Sequence, residues 1–307
     1  MKRICLLAGF HPKGQISDYV IYYAQALSQL ADVYYMADCE MPEPELKKLA
    51  PYVKGAWAKR HGKYDFGSWQ ELISKLGWEF ITQYDECIFA NDSVFAPLFP
   101  LAPIFERAAK DTPLDAWGIN AYDLKYIESY FFILRRNVLL AEACRQFFEN
   151  IVSQTNVDGV IEHYEKGLTD FLCKNGFNFK VLRYAQNSLA GNWRTFIKQG
   201  VPFLKVKNFI RAHVYIQYVH LPGWRRFLAK YTRYPVSLIE QHLRSIGVDP
   251  EQFDSFGFKL KSLYWCLRRW RQKIIRLHFY KKERIVVLFG WTVVSTSPKP
   301  TPQIKEF

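Results

Sequence analysis

An α/β fold with a mostly parallel central sheet is predicted by three features of this 307-residue sequence. Apolar runs of strand length alternate with amphipathic helical patterns along the first two-thirds of the chain. Three runs end in polar or glycine-bearing turns, at Gly9-Phe10-His11, Ala37-Asp38-Cys39 and Asn91-Asp92-Ser93. Hydrophobic residues make up 49% of the chain and aromatic ones 17%, enough for a sizeable core and too many for a disordered chain.

The elements follow in order. Ile4–Gly9 reads as a buried strand stopped by a His-Pro turn. Ile16, Val20, Tyr23, Leu27 and Leu30 fall on one face of a helix. Val33–Met36 is a second strand, and a short helix is expected near Glu45–Ala50. Ser68 with Glu71 three residues on forms a capping box, predicting a helix that carries Leu72, Ile73 and Leu76. Glu86–Ala90 is a strand, Leu98–Ala109 a helix, and Ala116–Ile119 and Tyr130–Leu134 are strands. A helix over Leu139–Ile151 follows, and another ends at Lys174 with Gly176 at its C′ position.

Charge divides the chain. Residues 1–205 hold 23 Lys+Arg and 23 Asp+Glu, whereas residues 206–307 hold 19 and 6, so the whole net charge of +13 lies in the last third. Two units are therefore expected, a neutral body over 1–205 and a basic, largely helical module over 206–307. Leu260, Leu263, Leu267, Trp270, Ile274 and Leu277 form a helical apolar stripe. Arg268, Arg269, Arg271, Lys273 and Arg276 flank it, and with Trp270 they make the stripe a candidate for an anionic membrane surface, with docking on the main domain or an oligomer contact as the alternatives. Trp224-Arg225-Arg226-Phe227 is expected to extend that patch. Six cysteines without ligand spacing read as buried, reduced thiols. The N-terminal apolar run is too short for a signal peptide, and no run is long enough to span a bilayer. Walker A, GxGxxG, GxSxG and HExxH motifs are missing, which removes support for the common nucleotide-binding and hydrolase classes.

Three segments carry candidate chemistry. Ligands of parallel sheets bind beyond the C-terminal strand ends, which singles out Asn91-Asp92-Ser93; Asp92 could hold a cation or a sugar hydroxyl, or simply cap a turn. In Tyr64-Asp65-Phe66-Gly67, Gly67 permits close backbone approach ahead of a helix N-terminus that suits phosphate. In His163-Tyr164-Glu165-Lys166-Gly167-Leu168-Thr169, Glu165 is expected at a helix start, as a general base or as a plain N-terminal charge. Arg135 and Arg136, just past a strand, are candidates for a diphosphate or a solvated turn.

The order and spacing of these segments resemble the rhamnan-synthesis protein F family of bacterial polysaccharide glycosyltransferases. The likeness runs from Tyr64-Asp65-Phe66-Gly67 through Phe89-Ala90-Asn91-Asp92-Ser93-Val94-Phe95-Ala96-Pro97, Ala116-Trp117-Gly118-Ile119 and Glu128-Ser129-Tyr130-Phe131 to Tyr164-Glu165-Lys166-Gly167-Leu168-Thr169. The resemblance implies transfer of a sugar, L-rhamnose, from a nucleotide sugar such as dTDP-L-rhamnose to a lipid-linked glycan in polysaccharide or O-antigen synthesis. It implies work at the cytoplasmic face of the membrane. The order is also similar to that of GT-A glycosyltransferases. That likeness implies Asp38 near the nucleotide base, and Asp65, Gly67, Asn91, Ser93, Arg135 and Arg136 around the donor. Asp92 would stand at the place of an acidic metal motif for Mg or Mn, and Glu165 would be the base. Because only one acid stands at that motif, a catalytically silent partner of a glycan-synthesis complex is the competing reading. Nucleic-acid binding has the charge but no motif.

Overall fold

A computed structural model of the chain describes residues 1–111, 114–122, 125–185, 189–210, 220–280, 283–288, 291–292 and 305–306; side chains of 184–185 and of residues from 268 onward are outside the description. In chain order the elements are β1 (Arg3–Gly9), α1 (Asp18–Ser28), β2 (Asp32–Ala37), α2 (Glu43–Lys47), β3 (Gly55–Ala58), α3 (Tyr64–Leu76), α4 (Trp78–Ile81) and β4 (Glu86–Asn91). Then come β5 (Val94–Phe95), α5 (Ala102–Lys110), β6 (Ala116–Tyr122), β7 (Tyr126–Ile127), β8 (Phe131–Arg135), α6 (Arg136–Leu139) and α7 (Glu142–Glu149). Next, α8 (Val157–Val160), a π turn (Ile161–Glu165) and α9 (Lys166–Lys174) run end to end. The remainder holds β9 (Phe179–Ala185), α10 (Leu189–Lys198), β10 (Leu204–Lys205), α11 (Lys207–Ile210), α12 (Trp224–Tyr231), α13 (Val236–Ser245) and α14 (Phe256–Ile274). β11 (Ile275–Tyr280), β12 (Glu283–Leu288), β13 (Trp291–Thr292) and β14 (Lys305–Glu306) lie beyond it.

The central sheet has the order β14-β9-β6-β8-β4-β1-β2-β3, with β7 added to β6. β3, β2, β1 and β4 are parallel neighbours, and β6 and β9 are parallel to each other. β8 alone in the middle of the sheet runs the other way, antiparallel to both β4 and β6. The expected α/β class and mostly parallel sheet are observed. From β1 the chain winds outward through β2 and β3, then returns to place β4 on the other side of β1. The reversal of winding lies between β1 and β4, where doubly wound sheets leave a crevice for ligand.

Alternation along the strands sends side chains to two cores. Cys5, Leu7, Ile88, Ala90, Ile133 and Phe131 face α1, α5 and α10. Ile4, Leu6, Cys87, Phe89, Phe132 and Leu134 face α3, α7 and α9. The first core does not stop at residue 205. Leu221, Trp224, Leu228, Ile239, Leu243 and Phe253 are fully buried within it, so the expected boundary between 205 and 206 coincides with no break in packing.

Other expectations are corrected. The capping-box helix begins at Tyr64, not after Ser68, so Ser68 is a buried interior residue hydrogen-bonded to His61 Nε2 at 3.0 Å. The C-terminal stripe leaves the helix at Ile274, and Leu277 lies in β11. Trp224 and Phe227 pack inward and Arg225 pairs with Glu240, Glu251 and Asp254, which leaves Arg226 as the exposed cation of that cluster. All six cysteines are unpaired; Cys5, Cys39, Cys87 and Cys144 are buried as expected, whereas Cys173 is half-buried and Cys266 exposed.

Candidate active site

The C-terminal edge of the parallel strands collects several polar side chains from the first two-thirds of the chain. At the winding reversal, the N–H of Phe10, just past β1, donates to Asp92 Oδ2 at 2.9 Å, and the N–H of Asp92 returns to Ala8 O at 3.0 Å. Tyr19 Oη donates to the carbonyl of Asp92 at 2.7 Å. Burial pushes the Asp92 carboxyl up to about 7, helped by the nearby charge of Asp65 and opposed by the Phe10 N–H. Asn91, the last residue of β4, accepts from the Ser93 N–H and hydroxyl at its side-chain Oδ1 and donates from Nδ2 to Asp65 Oδ2 at 2.8 Å.

Asp65 is seated by an unusual turn. Gly62 and Tyr64 both have positive φ, 68° and 57°, and for Tyr64 that conformation costs about 1–2 kcal/mol. Asp38 holds the turn, accepting from the N–H groups of His61 and Gly62 at 2.8 Å each and of Tyr64 at 3.0 Å. Both of its oxygens are thereby occupied, so Asp38 acts on the position of Asp65 from one strand away. Gly67 serves the same turn. A Cβ there would come within 2.2 Å of Lys63 Cβ and 2.7 Å of His61 Nδ1. The glycine lets the helix lie against its own entry loop.

Ser129 joins the two halves of the site. Its hydroxyl meets Asp65 Oδ2 at 3.1 Å and also the Glu165 carboxylate, while its N–H donates to Glu165 Oε1 at 3.2 Å. Glu165 is not at a helix start: the π turn puts it inside a helical run that begins at Val157, and the favourable N-terminal charge interaction is lost. Burial instead pushes its carboxyl up to about 7, opposed by the Ser129 hydroxyl and Lys205. Behind Ser129, Glu128 accepts from Asn120 Nδ2 and from the N–H of Leu189, and Tyr130 Oη donates to Asn120 Oδ1. Lys205 is buried against this group, its Nζ 4.1 Å from the Tyr130 ring centroid.

The structure thus brings together Asp65, Asn91, Asp92, Ser93 and Glu165 from the sequence-derived candidates. It adds Asn120, Glu128, Ser129, Tyr130 and Lys205. It does not bring Arg135 and Arg136. Because β8 is antiparallel, its end lies at the opposite edge of the sheet, about 17 Å away, with Arg135 paired to Glu86. The Arg135 guanidinium is filled by Glu86 and by the carbonyls of Leu114 and Ala108. A cleft of about 510 Å³ between α3, α4 and α7 shares no lining residue with the cluster.

Among the described residues no three metal-ligating side chains converge, and both oxygens of Asp65 already accept hydrogen bonds, so the side chains alone form no closed site for Mg or Mn. The arrangement can instead accept hydrogen bonds from hydroxyl groups and take up a proton near neutral pH.

The sequence profile of a family described as Rhamnan synthesis protein F matches residues 33–287. No curated protein sequence matches the chain. Among solved structures it is similar to a CMP:2-keto-3-deoxy-manno-octonic acid synthetase complexed with CTP, at 12% identity and a TM-score of 0.37, covering 60% of this chain and 91% of that one. It is also similar to the glycosyltransferase GlyE of Streptococcus pneumoniae TIGR4, at 11% identity and a TM-score of 0.38, covering 81% of this chain and 65% of that one. A cytidylyltransferase from Leptospira borgpetersenii serovar Hardjo-bovis (strain JB197) is similar at 11% identity and a TM-score of 0.38, covering 80% of this chain and 95% of that one.

Proposed function

The chain belongs to the rhamnan synthesis protein F family, and from that premise we propose that it is a GT-A-like glycosyltransferase. It moves L-rhamnose from dTDP-L-rhamnose to a lipid-linked glycan acceptor of a cell-surface polysaccharide such as O-antigen. The observation that supports this most is the Asp65–Ser129–Glu165 chain of hydrogen bonds at the C-terminal edge of the parallel strands, next to Asn91 and Asp92. Two carboxyl groups there, Asp92 and Glu165, titrate near 7, where a carboxylate is basic enough to take a hydroxyl proton.

In this reading the nucleoside diphosphate lies over the crevice between β1 and β4, against the loop that follows β1. Asp92 and Asn91, with Ser93, accept or donate hydrogen bonds to the donor sugar. The acceptor hydroxyl oxygen attacks the anomeric carbon, its proton passes to the Glu165 carboxylate, and the bond from that carbon to the diphosphate oxygen breaks. The nucleoside diphosphate leaves with the electron pair. Asp65 and Ser129 hold Glu165 in place throughout.

The same proposal places the enzyme on the inner face of the cytoplasmic membrane, where a lipid-linked acceptor is presented. Among the described residues no helix is long and apolar enough to cross a membrane. What supports surface attachment is α14, on which Phe256, Leu260, Leu263, Tyr264 and Leu267 are exposed beside Lys259 and Lys261. The side chains of Arg268, Arg269, Trp270, Arg271, Lys273 and Arg276 lie outside the described residues.

Saturation-transfer NMR with a panel of sugar nucleotides tests the reading. dTDP-L-rhamnose should bind selectively, and transfer should fall by about 10²-fold or more in purified E165A and D92A. Failure of every sugar nucleotide to bind would favour the silent-partner reading instead.

A further inference from the structure

Lys205 takes no part in the steps above, yet it is the residue whose burial is hardest to explain without a function. It is 7% exposed, and a buried ammonium is costly unless charge compensates it. Its place is set by a two-residue strand. β10 pairs with β5 so that Lys205 lies opposite Val94, and the next N–H, of Val206, donates to Ser93 O at 2.8 Å. That pairing lays the lysine beside the Asn91–Ser93 turn and over the Tyr130 ring.

Three carboxylates act on the ammonium, Glu128, Glu165 and Asp65, and Lys207 opposes it. Those carboxylates surround the ammonium, so its charge acts directly on them. The three are not equally supported. Glu128 accepts from Asn120 and the Leu189 N–H, and Asp65 accepts from Asn91 and the Phe66 N–H. Among the described residues, the donors to the Glu165 carboxylate all belong to Ser129. Glu165 thus takes both of its hydrogen bonds from one residue, and as the proposed base it is the carboxylate through which the Lys205 charge bears on the reaction.

We propose that Lys205 is a positioning residue for proton transfer, acting through Glu165 to keep that carboxylate ionised and directed at Ser129 and Asp65. The assignment rests on Glu165 as the base. The titratable groups that face Glu165 are Asp65 from α3, Tyr126 from β7, Glu128 from the turn before β8 and Lys205 from β10. Of these Lys205 alone is a cation, and removing it leaves Glu165 among acids.

The test needs no substrate. The carboxyl 13C shift of Glu165, identified by its loss in E165Q, is followed against pH in the full-length protein. In K205M the midpoint should rise by about one pH unit or more from its wild-type position, and in K205R it should stay near wild type. An unchanged or lowered midpoint in K205M overturns the proposal. Should K205M fail to fold, K205Q, which keeps a polar tip against Tyr130, replaces it in the same titration. The base reading fails separately: E165Q with undiminished sugar transfer removes Glu165 as base, whatever the titration of K205M shows.

Discussion

Ser129 donates both its hydroxyl and its backbone N–H to the Glu165 carboxylate, and the same hydroxyl lies 3.1 Å from Asp65. Hydrogen bonds to the charged form favour it, so the serine opposes the burial that lifts Glu165 to about 7. S129A should move the Glu165 midpoint up by about one pH unit, leaving roughly a tenth of the base ionised at pH 7 where wild type has about half. Sugar transfer at pH 7 should fall about five-fold and recover by pH 9. An even loss across the whole pH–rate profile would show that Ser129 only supports the fold.

The two raised carboxyls also write a signature into stability. Asp92 and Glu165 titrate near 7 in the fold against 3.8 and 4.5 as ordinary groups. Between those values the folded chain holds more protons than the unfolded one, so stability falls as pH rises from about 4 to 7. D92N and E165Q remove that loss. Each variant should melt about 2–6 °C above wild type at pH 8 and level with it near pH 4. A variant that melts lower at pH 8 would mean that the partners of the carboxylate in the fold outweigh the cost of burying it.

How much of this was legible in the sequence depends on strand direction. Strands β1, β2, β4, β6 and β8 could be read from apolar runs, as could the turns at Asp38 and Asp92. The edge rule that selects Asn91-Asp92-Ser93 assumes parallel strands, and applied to β8 it pointed at Arg135 and Arg136, which the antiparallel register sends to the other edge. By the same reversal the residues that precede β8, Glu128-Ser129-Tyr130, arrive at the site. They were visible as a motif in the family resemblance, but their chemistry was not. Lys205 gave no signal, because a two-residue strand has no period to detect. The missed strands β3 and β9 are short or interrupted by charged side chains, such as Lys180 and Arg183 in β9.

The first core predicts how the chain can be shortened. Leu221, Trp224, Leu228, Ile239 and Leu243 are fully buried in the same cluster as α1 and β5. His242 of α13 lies 4.7 Å from Tyr19 and bonds Ser17 Oγ at 3.0 Å, and Lys13 Nζ reaches Ser245 O. Ending the chain at 205 would uncover these contacts, at about 1.5–3 kcal/mol for each large side chain removed. Residues 1–205 should therefore be insoluble or lack a cooperative melt. A truncation at 258, which keeps Phe253 and Phe258 in contact, should melt within a few degrees of the full chain. Cooperative unfolding of 1–205 alone would restore a boundary at that residue.

The same truncation separates folding from location. On α14, Phe256, Leu260, Leu263, Tyr264 and Leu267 recur at helical spacing and are 78%, 50%, 55%, 57% and 58% exposed, while Phe258 and Ser262 turn toward the body. An apolar stripe left in water beside lysines suits the headgroup boundary of an anionic bilayer, where each buried side chain and each nearby cation adds to the attachment. In co-sedimentation, the full chain should pellet with vesicles containing anionic lipid and be released by about 0.5 M salt, and neutral vesicles should retain far less. L260E/L263E/L267E should abolish the binding without lowering the melting temperature, because those side chains contribute little to the core. Equal recovery with neutral and anionic vesicles would remove the electrostatic part, and unaltered binding by the triple variant would remove the helix.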